Sequence, residues 1–340
     1  MELFVTAALP YLKCLRALDL GYNSIGPAGA RTLVEGLTGV AALASSLTAL
    51  SLRINVLGDA GVATIASALH RLPNIQHLDL CNNWIQSAGA EALAGGLRGL
   101  KNLSTLDVSK NNIKTAGLAF ISAVLVELQS VTQVCLSKNS IDEHGGASAR
   151  TILQCPQLVF CDLSCNRLGP LGAAQVAGGL ADAQRLEHID LDCNELGAVG
   201  ALLFAKAMMS EGHDARRSDV GMSAPASALV TGAHTVGLRH LHLFNNRMGA
   251  EGAFHLASIL SLFPLLCSLD LGHQFMYAAG AADLAEALPA CLSLESLSLN
   301  NNFIGLAPSS SHSSRQPIMR DGQSCALLPL SSLSPNPRAL

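Results

Sequence analysis

One pattern recurs along the chain and leaves few folds open to it: Leu-x-x-Leu-x-Leu-x-x-Asn, whose last position falls at Asn23, Asn55, Asn83, Asn111, Asn139, Asn166, Asn194, Asn246, Gln274 and Asn302. Successive spacings are 32, 28, 28, 28, 27, 28, 52, 28 and 28 residues. A unit of that length holds one strand, one turn and one helix, too little to bury its apolar side alone, so stacked copies must share a core. Six residues after the Asn column stands a glycine in every complete unit, at Gly29, Gly61, Gly89, Gly117, Gly145, Gly172, Gly200, Gly252 and Gly280. Glycine there predicts a first helical turn packed so closely on its neighbour that a side chain would push the layers apart.

Two further columns mark the buried helix face. Ten residues after each Asn come Leu33, Ile65, Leu93, Ile121, Ala149, Val176, Phe204, Leu256 and Leu284, and four residues beyond each of these Leu37, Leu69, Leu97, Leu125, Leu153, Leu180, Met208, Leu260 and Leu288. A spacing of four is one helical face. Upstream of the Asn, pairs such as Leu78 and Leu80 alternate with polar residues, as in a short strand with its apolar side inward. The composition agrees: 49% hydrophobic but 4% aromatic residues dictate an aliphatic core laid down in regular layers. The Asn column is expected to be structural, because an amide carries both donor and acceptor for the backbone groups left where a strand bends into its loop.

The strand Ile75 to Leu80 followed by CNNWIQSAGAEALAGGL at Cys81 to Leu97 resembles the repeats of the ribonuclease-inhibitor-like leucine-rich repeat family, a class shared with the sensor regions of NOD-like receptors and with the Ran GTPase-activating protein. The resemblance implies an α/β fold, a horseshoe solenoid of about ten 28-residue units over residues 1–306, with a parallel sheet on the concave face and helices on the convex one. The scaffold says little about activity, since it serves inhibitors, receptors and regulators alike.

Four departures carry their own expectations. The spacing of 52 places an aperiodic insertion at 210–237, read as a loop that is either simply tolerated or a docking segment carrying Arg216 and Arg217. The spacing of 32 puts four extra residues within 38–46, expected as a longer connection. Gln274, one methylene longer than its equivalents, predicts an irregularity in the ninth unit. Val5, Leu9 and Leu12 fall on the helix columns without a preceding strand, while Pro308 occupies the glycine column ahead of a Ser/Pro-rich tail, 307–340, read as disordered. Incomplete end layers predict fraying and weak self-association through uncapped ends.

A net charge of -4 and a pI near 6.2 give no field for a phosphate backbone, so nucleic acid is not an expected partner. No apolar run approaches the ~20 residues of a spanning helix, and the first dozen residues lack the basic start of a signal peptide; a cytoplasmic protein, or a nuclear one, with no membrane partner is expected. The ten cysteines are read as free thiols. Phosphate-binding loops, nucleophile elbows and zinc-protease motifs are not found, so neither catalysis nor a cofactor is expected.

Function is therefore sought on the outward strand positions, which line the concave face. Their central column reads Asp19, Ser51, Asp79, Asp107, Cys135, Asp162, Asp190, His242, Asp270 and Ser298. Six aspartates suggest an acidic stripe matched to a basic partner, although Leu-Asp-Leu is also common wording for such strands. The sharpest cluster is His188, Asp190 and Asp192 beside His240 and His242, a patch for partner contact with Phe244 as apolar anchor rather than a metal site. The expected reading is a non-catalytic scaffold that binds a protein through His77, Asp79, Asp107, Phe160, Asp162, His188, Asp190, Asp192, His240, His242, Phe244 and Asp270. The resemblance leaves two alternatives: a GTPase-activating regulator, or the sensor region of a NOD-like receptor.

Overall fold

The computed structural model of the protein describes residues 2–214 and 237–305. Each Leu-x-Leu segment forms a three-residue strand: β1 (Ala17–Asp19), β2 (Ala49–Ser51), β3 (His77–Asp79), β4 (Thr105–Asp107), β5 (Gln133–Cys135), β6 (Phe160–Asp162), β7 (His188–Asp190), β8 (His240–His242), β9 (Ser268–Asp270) and β10 (Ser296–Ser298). Among the described residues they make one open parallel sheet in the order of the sequence. The register holds throughout, with Leu50 beside Leu78, Leu78 beside Leu106, and His188 beside His240 across the long spacing.

Between strands run α1 (Glu2–Ala7), α2 (Gly26–Gly39), α3 (Ala41–Ser46), α4 (Gly58–Ala68), α5 (Ser87–Leu97), α6 (Lys114–Leu125), α7 (Gly146–Leu153), α8 (Gly169–Asp182), α9 (Gly197–Asp214), α10 (Gly249–Ala257) and α11 (Tyr277–Ala287). The helix columns and the middle strand residues meet in one core: Leu33, Leu93, Ile121, Val176, Leu78 and Leu106 are all buried. Parallel strands need a returning connection, and among the described residues each one carries a helix that packs on the shared core. The opposite side of the sheet, concave in a solenoid of this kind, is left to outward strand side chains.

The glycine column does what tight stacking demands. A Cβ at Gly117 would lie 2.8 Å from Ala90 Cβ and 3.3 Å from Ser87 Cα of α5, and one at Gly280 would lie 3.0 Å from Ala250 Cα of α10. The asparagines form a continuous ladder. Asn83 Nδ2 donates to the carbonyls of Leu52, Leu80 and Cys81, and its Oδ1 accepts from the Asn55 and Leu57 N–H groups of the preceding unit. Asn83 N–H in turn donates to Asn111 Oδ1 at 2.8 Å, and the same step joins Asn194 to Asn246 at 2.9 Å.

The ladder steadies loops that bend through the left-handed region at non-glycine residues on either side of the Asn, among them Tyr22 (φ 63), Trp84 (φ 61), His273 (φ 59), Phe275 (φ 59) and Phe303 (φ 53). Such residues cost about 1 kcal/mol each unless neighbours hold them.

Three expectations are corrected. The first residues of the expected 210–237 loop extend the helix, since α9 runs to Asp214; residues 215–236, and with them Arg216 and Arg217, lie outside the described residues, as does the expected tail 307–340. The extra residues near 38–46 fold into α3, whose Leu43 is buried and whose Ser46 hydroxyl donates to Leu15 O at 2.8 Å. Gln274 does not interrupt the ladder. Its longer side chain reaches the Leu243 and Gly272 carbonyls and accepts from Met248 N–H, while Asn302 Nδ2 serves Leu271 O.

Candidate functional site

The central column stands in register, with Asp79 beside Asp107, Asp162 beside Asp190, and His242 between Asp190 and Asp270. The aspartates are more than an outward charge. In each, Oδ1 accepts the N–H two residues on: Gly21 for Asp19, Cys81 for Asp79, Ser109 for Asp107, Ser164 for Asp162, Asp192 for Asp190 and Gly272 for Asp270, all at 2.8–3.0 Å. This local turn starts the strand-to-loop bend, and gives the repeated Leu-Asp-Leu wording a structural cause.

Burial differs sharply along the column. Asp162 is only 4% exposed, so it is a turn residue under the surface and not the contact expected of it. Burial pushes the Asp107 carboxyl up to about 6, against the hydrogen bond from Ser109, with Asp79 and Asp162 adding repulsion. Burial also raises Asp79, which accepts from the Ser51 hydroxyl at 3.0 Å. Between Asp107 and Asp162 lies Cys135, buried, its thiol held well above its ordinary range by desolvation and the flanking carboxylates. Toward β3–β6 the stripe is thus a partly buried, hydrogen-bonded ladder. His77, at the exposed start of β3, is joined to Thr105 through Nδ1 at 3.1 Å and stands apart from the other histidines.

On β6–β9 the face changes character. Phe160 and His188 have ring centroids 4.6 Å apart, His188 and His240 5.3 Å in a stacked arrangement, and His188 and His242 4.7 Å edge to face. The rings meet by tilted, stacked and edge contacts, and no His, Cys, Asp and Glu group among the described residues is arranged to hold a metal. Burial holds His188 down at about 3, with His242 and His240 contributing, and burial lowers His242 as well, against the pull of Asp270 and Asp162. Near neutral pH both are uncharged rings.

Asp192 lies beyond β7. Its carboxylate accepts the Phe244 N–H at 2.7 Å, which ties the two loops together across the long spacing. Alternation alone had placed it among the outward strand residues. The Asn300 and Phe244 side chains both close on Gly272, where a Cβ would run into the Asn300 amide and meet the Phe244 ring at 2.8 Å.

The ring series continues past the residues legible from strand alternation. Phe244 and His273 are 5.9 Å apart, His273 and Phe275 5.0 Å, Phe275 and Phe303 5.9 Å, and Tyr277 and Phe303 5.9 Å. His273 Nδ1 is shielded there without a hydrogen-bond partner. The left-handed residues flanking the Asn column turn these side chains to the loop rim. An aromatic or imidazole on either side of that column was the available signal.

Against this geometry, residues 11–34, 39–66, 71–94, 99–122, 184–205 and 238–257 match the family described as Leucine Rich repeat. The chain is a leucine-rich repeat solenoid. The strand, loop and helix of each matched repeat coincide with the observed units. A solved structure titled "Crystal structure of TLR13-ssRNA13 complex" is similar over 86% of this chain and 33% of the other, with 16% sequence identity and a TM-score of 0.47. No helix of the described solenoid is long and apolar enough to cross a membrane.

Proposed function

We propose that this solenoid is a non-catalytic scaffold that holds a protein partner with a basic surface on its concave face, centred on β6–β9. The observation that carries the reading is the half-buried band of Phe160, His188, His240, His242 and Phe244, set beside Asp190 and Asp270 in register. Rigid rings on a regular sheet lose little entropy on binding and anchor interfaces well. The ribonuclease-inhibitor-like subclass fits this reading, because its resemblance implies protein recognition by the concave sheet. A cytoplasmic setting fits the free thiols of the described cysteines.

The test is affinity capture with the chain and with a variant carrying His242→Asn and Phe244→Leu, whose melting is followed by circular dichroism. A partner retained by the chain and lost by a folded variant supports the reading. Equal retention overturns it.

A further inference from the structure

We propose that Cys165 and Cys193 form a site of reversible oxidation, closing to a disulfide that staples the loop after β6 to the loop after β7 at the rim of the sheet. The proposal does not depend on what the concave face binds.

The register of the sheet carries on into these loops. Asp162 stands beside Asp190, and past the strands Leu163 N–H donates to Asp190 O at 2.9 Å and Cys165 N–H to Asp192 O at 2.7 Å. In a parallel ladder that pattern sets Cys165 beside Cys193. Neighbouring parallel strands lie ~4.8 Å apart, inside the range of about 4.4–6.8 Å that separates the Cα atoms of a disulfide. The two backbones share one conformation, φ 53 at Cys165 and φ 55 at Cys193, so both side chains leave their loops in the same sense. Side chains of this column also reach from rung to rung. Asn245, one rung beyond Cys193, donates through Nδ2 to Cys193 Sγ at 3.5 Å, and Cys165 stands one rung the other way.

No other two described cysteines hold the same repeat position in adjacent units. Cys135, Cys155 and Cys161 are buried, whereas Cys165 and Cys193 are both half-exposed and within reach of a small oxidant. Hydrogen peroxide supplies the chemistry. One thiol sulfur attacks a peroxide oxygen, the O–O bond breaks, and a sulfenic acid and a water result. The second sulfur then displaces hydroxide from the sulfenic sulfur, so an S–S bond forms as the S–O bond breaks. That hydroxide takes the proton of the second thiol. Two thiols and one peroxide thus give one disulfide and two waters, with two electrons passing from sulfur to oxygen. A dithiol reductant reverses the link by exchange.

The staple bears on the ring band through the backbone. Cys193 N–H donates to Phe244 O at 2.8 Å, and Asp192 accepts the Phe244 N–H at 2.7 Å. Drawing Cys193 Sγ toward Cys165 takes it from Asn245 Nδ2 and loads the bonds that seat Phe244.

The experiment uses the full chain with Cys14→Ser, which removes the exposed thiol. The reduced protein is treated with stoichiometric hydrogen peroxide, remaining thiols are alkylated, and tryptic peptides are mapped by mass spectrometry without reduction. The expected product is a monomer lighter by two hydrogens, with residues 151–167 joined to residues 186–206 and fragment ions placing the bond between Cys165 and Cys193. Dithiothreitol should restore both thiols. Cys165→Ser and Cys193→Ser should each abolish the link. Ser24 and Ser140 already hold the left-handed region at this rim, so both variants should stay folded by circular dichroism; if one does not, the bond mapped in the chain that keeps both cysteines decides. In NMR spectra, oxidation should shift the Asn245 side-chain amide and the Phe244 N–H and leave the Asn83 side-chain amide in place. Oxidation in urea should scatter Cys165 over several partners. A native chain that scatters it equally, that stops at sulfenic or sulfinic acid, or that links Cys165 or Cys193 chiefly to other cysteines would overturn the proposal.

Discussion

Replacing Asn83 by alanine isolates what the amide ladder contributes. The residue is fully buried and makes five side-chain hydrogen bonds. Its three carbonyl acceptors keep other donors: Leu52 O retains Asn55 Nδ2, Leu80 O retains Asn111 Nδ2, and Cys81 O retains Ile54 N–H. The two N–H groups it serves, of Asn55 and Leu57, lose the acceptor they have in Oδ1. Stranding a buried donor costs about 1–3 kcal/mol, so with two stranded the variant should lose about 2–6 kcal/mol.

Asn23 offers the internal control. Exposed at the first unit, it donates to Leu20 O and Gly21 O within reach of water, and Asn23→Ala should cost less than about 1 kcal/mol. Denaturant unfolding measures the difference. Because repeat arrays need not unfold in one step, hydrogen exchange at the Asn55 and Leu57 amides should accompany it and show accelerated exchange in the Asn83 variant alone. A loss below about 1 kcal/mol with unchanged exchange at those amides would refute the reasoning.

Acid stability should show two opposed groups. Asp107, with its folded pKa raised to about 6, stabilises below its unfolded pKa of ~3.9 and loses that contribution as pH rises toward 6; His188, lowered to about 3, loses stability as pH falls below its unfolded pKa of ~6.5. Between about pH 4 and 6 the slopes have opposite signs, so Asp107→Asn should steepen the loss of stability on acidification; superimposable profiles would contradict this. Gly117→Val should cost about 1–3 kcal/mol in denaturant unfolding by forcing α6 from α5, whereas an unchanged midpoint would mean the layers have slack. Among the described thiols, alkylation of the native chain should proceed first at exposed Cys14 and slowest at buried Cys135, Cys155 and Cys161, whose pKa values burial raises; mass mapping that finds Cys161 modified early would exclude the described core.

The layered fold was legible because the same physical demand recurs at every unit. Asn83 and Asn194 answer an identical set of backbone groups, and Gly117 and Gly280 an identical close approach, so each repeat checks the last. Where a feature occurs once, periodicity has nothing to compare. The four extra residues near 38–46 could be loop or helix until Leu43 was seen to reach the core, and the start of the 210–237 stretch simply prolongs α9. Gln274 is the converse case: a single departure from the column was read as a fault, yet one added methylene still spans the ladder.

The candidate face was half legible. Strand alternation placed His188, His240 and His242 together, since outward positions of neighbouring strands must adjoin. It did not show that Asp162 sinks below the surface, because the depth of an outward position depends on the side chains of neighbouring strands, which alternation does not weigh. Nor did it find His273, Phe275 and Phe303, whose outward turn comes from left-handed loop residues that follow no strand alternation.

The central claim is that the ring band of β6–β9 is where a partner sits, and site-specific crosslinking tests it most directly. A photoreactive phenylalanine analogue in place of Phe244 should form an adduct with the bound partner, and the same analogue in place of Leu171, exposed on α8 of the convex side, should not. Adducts from position 171 with none from 244 would contradict the account.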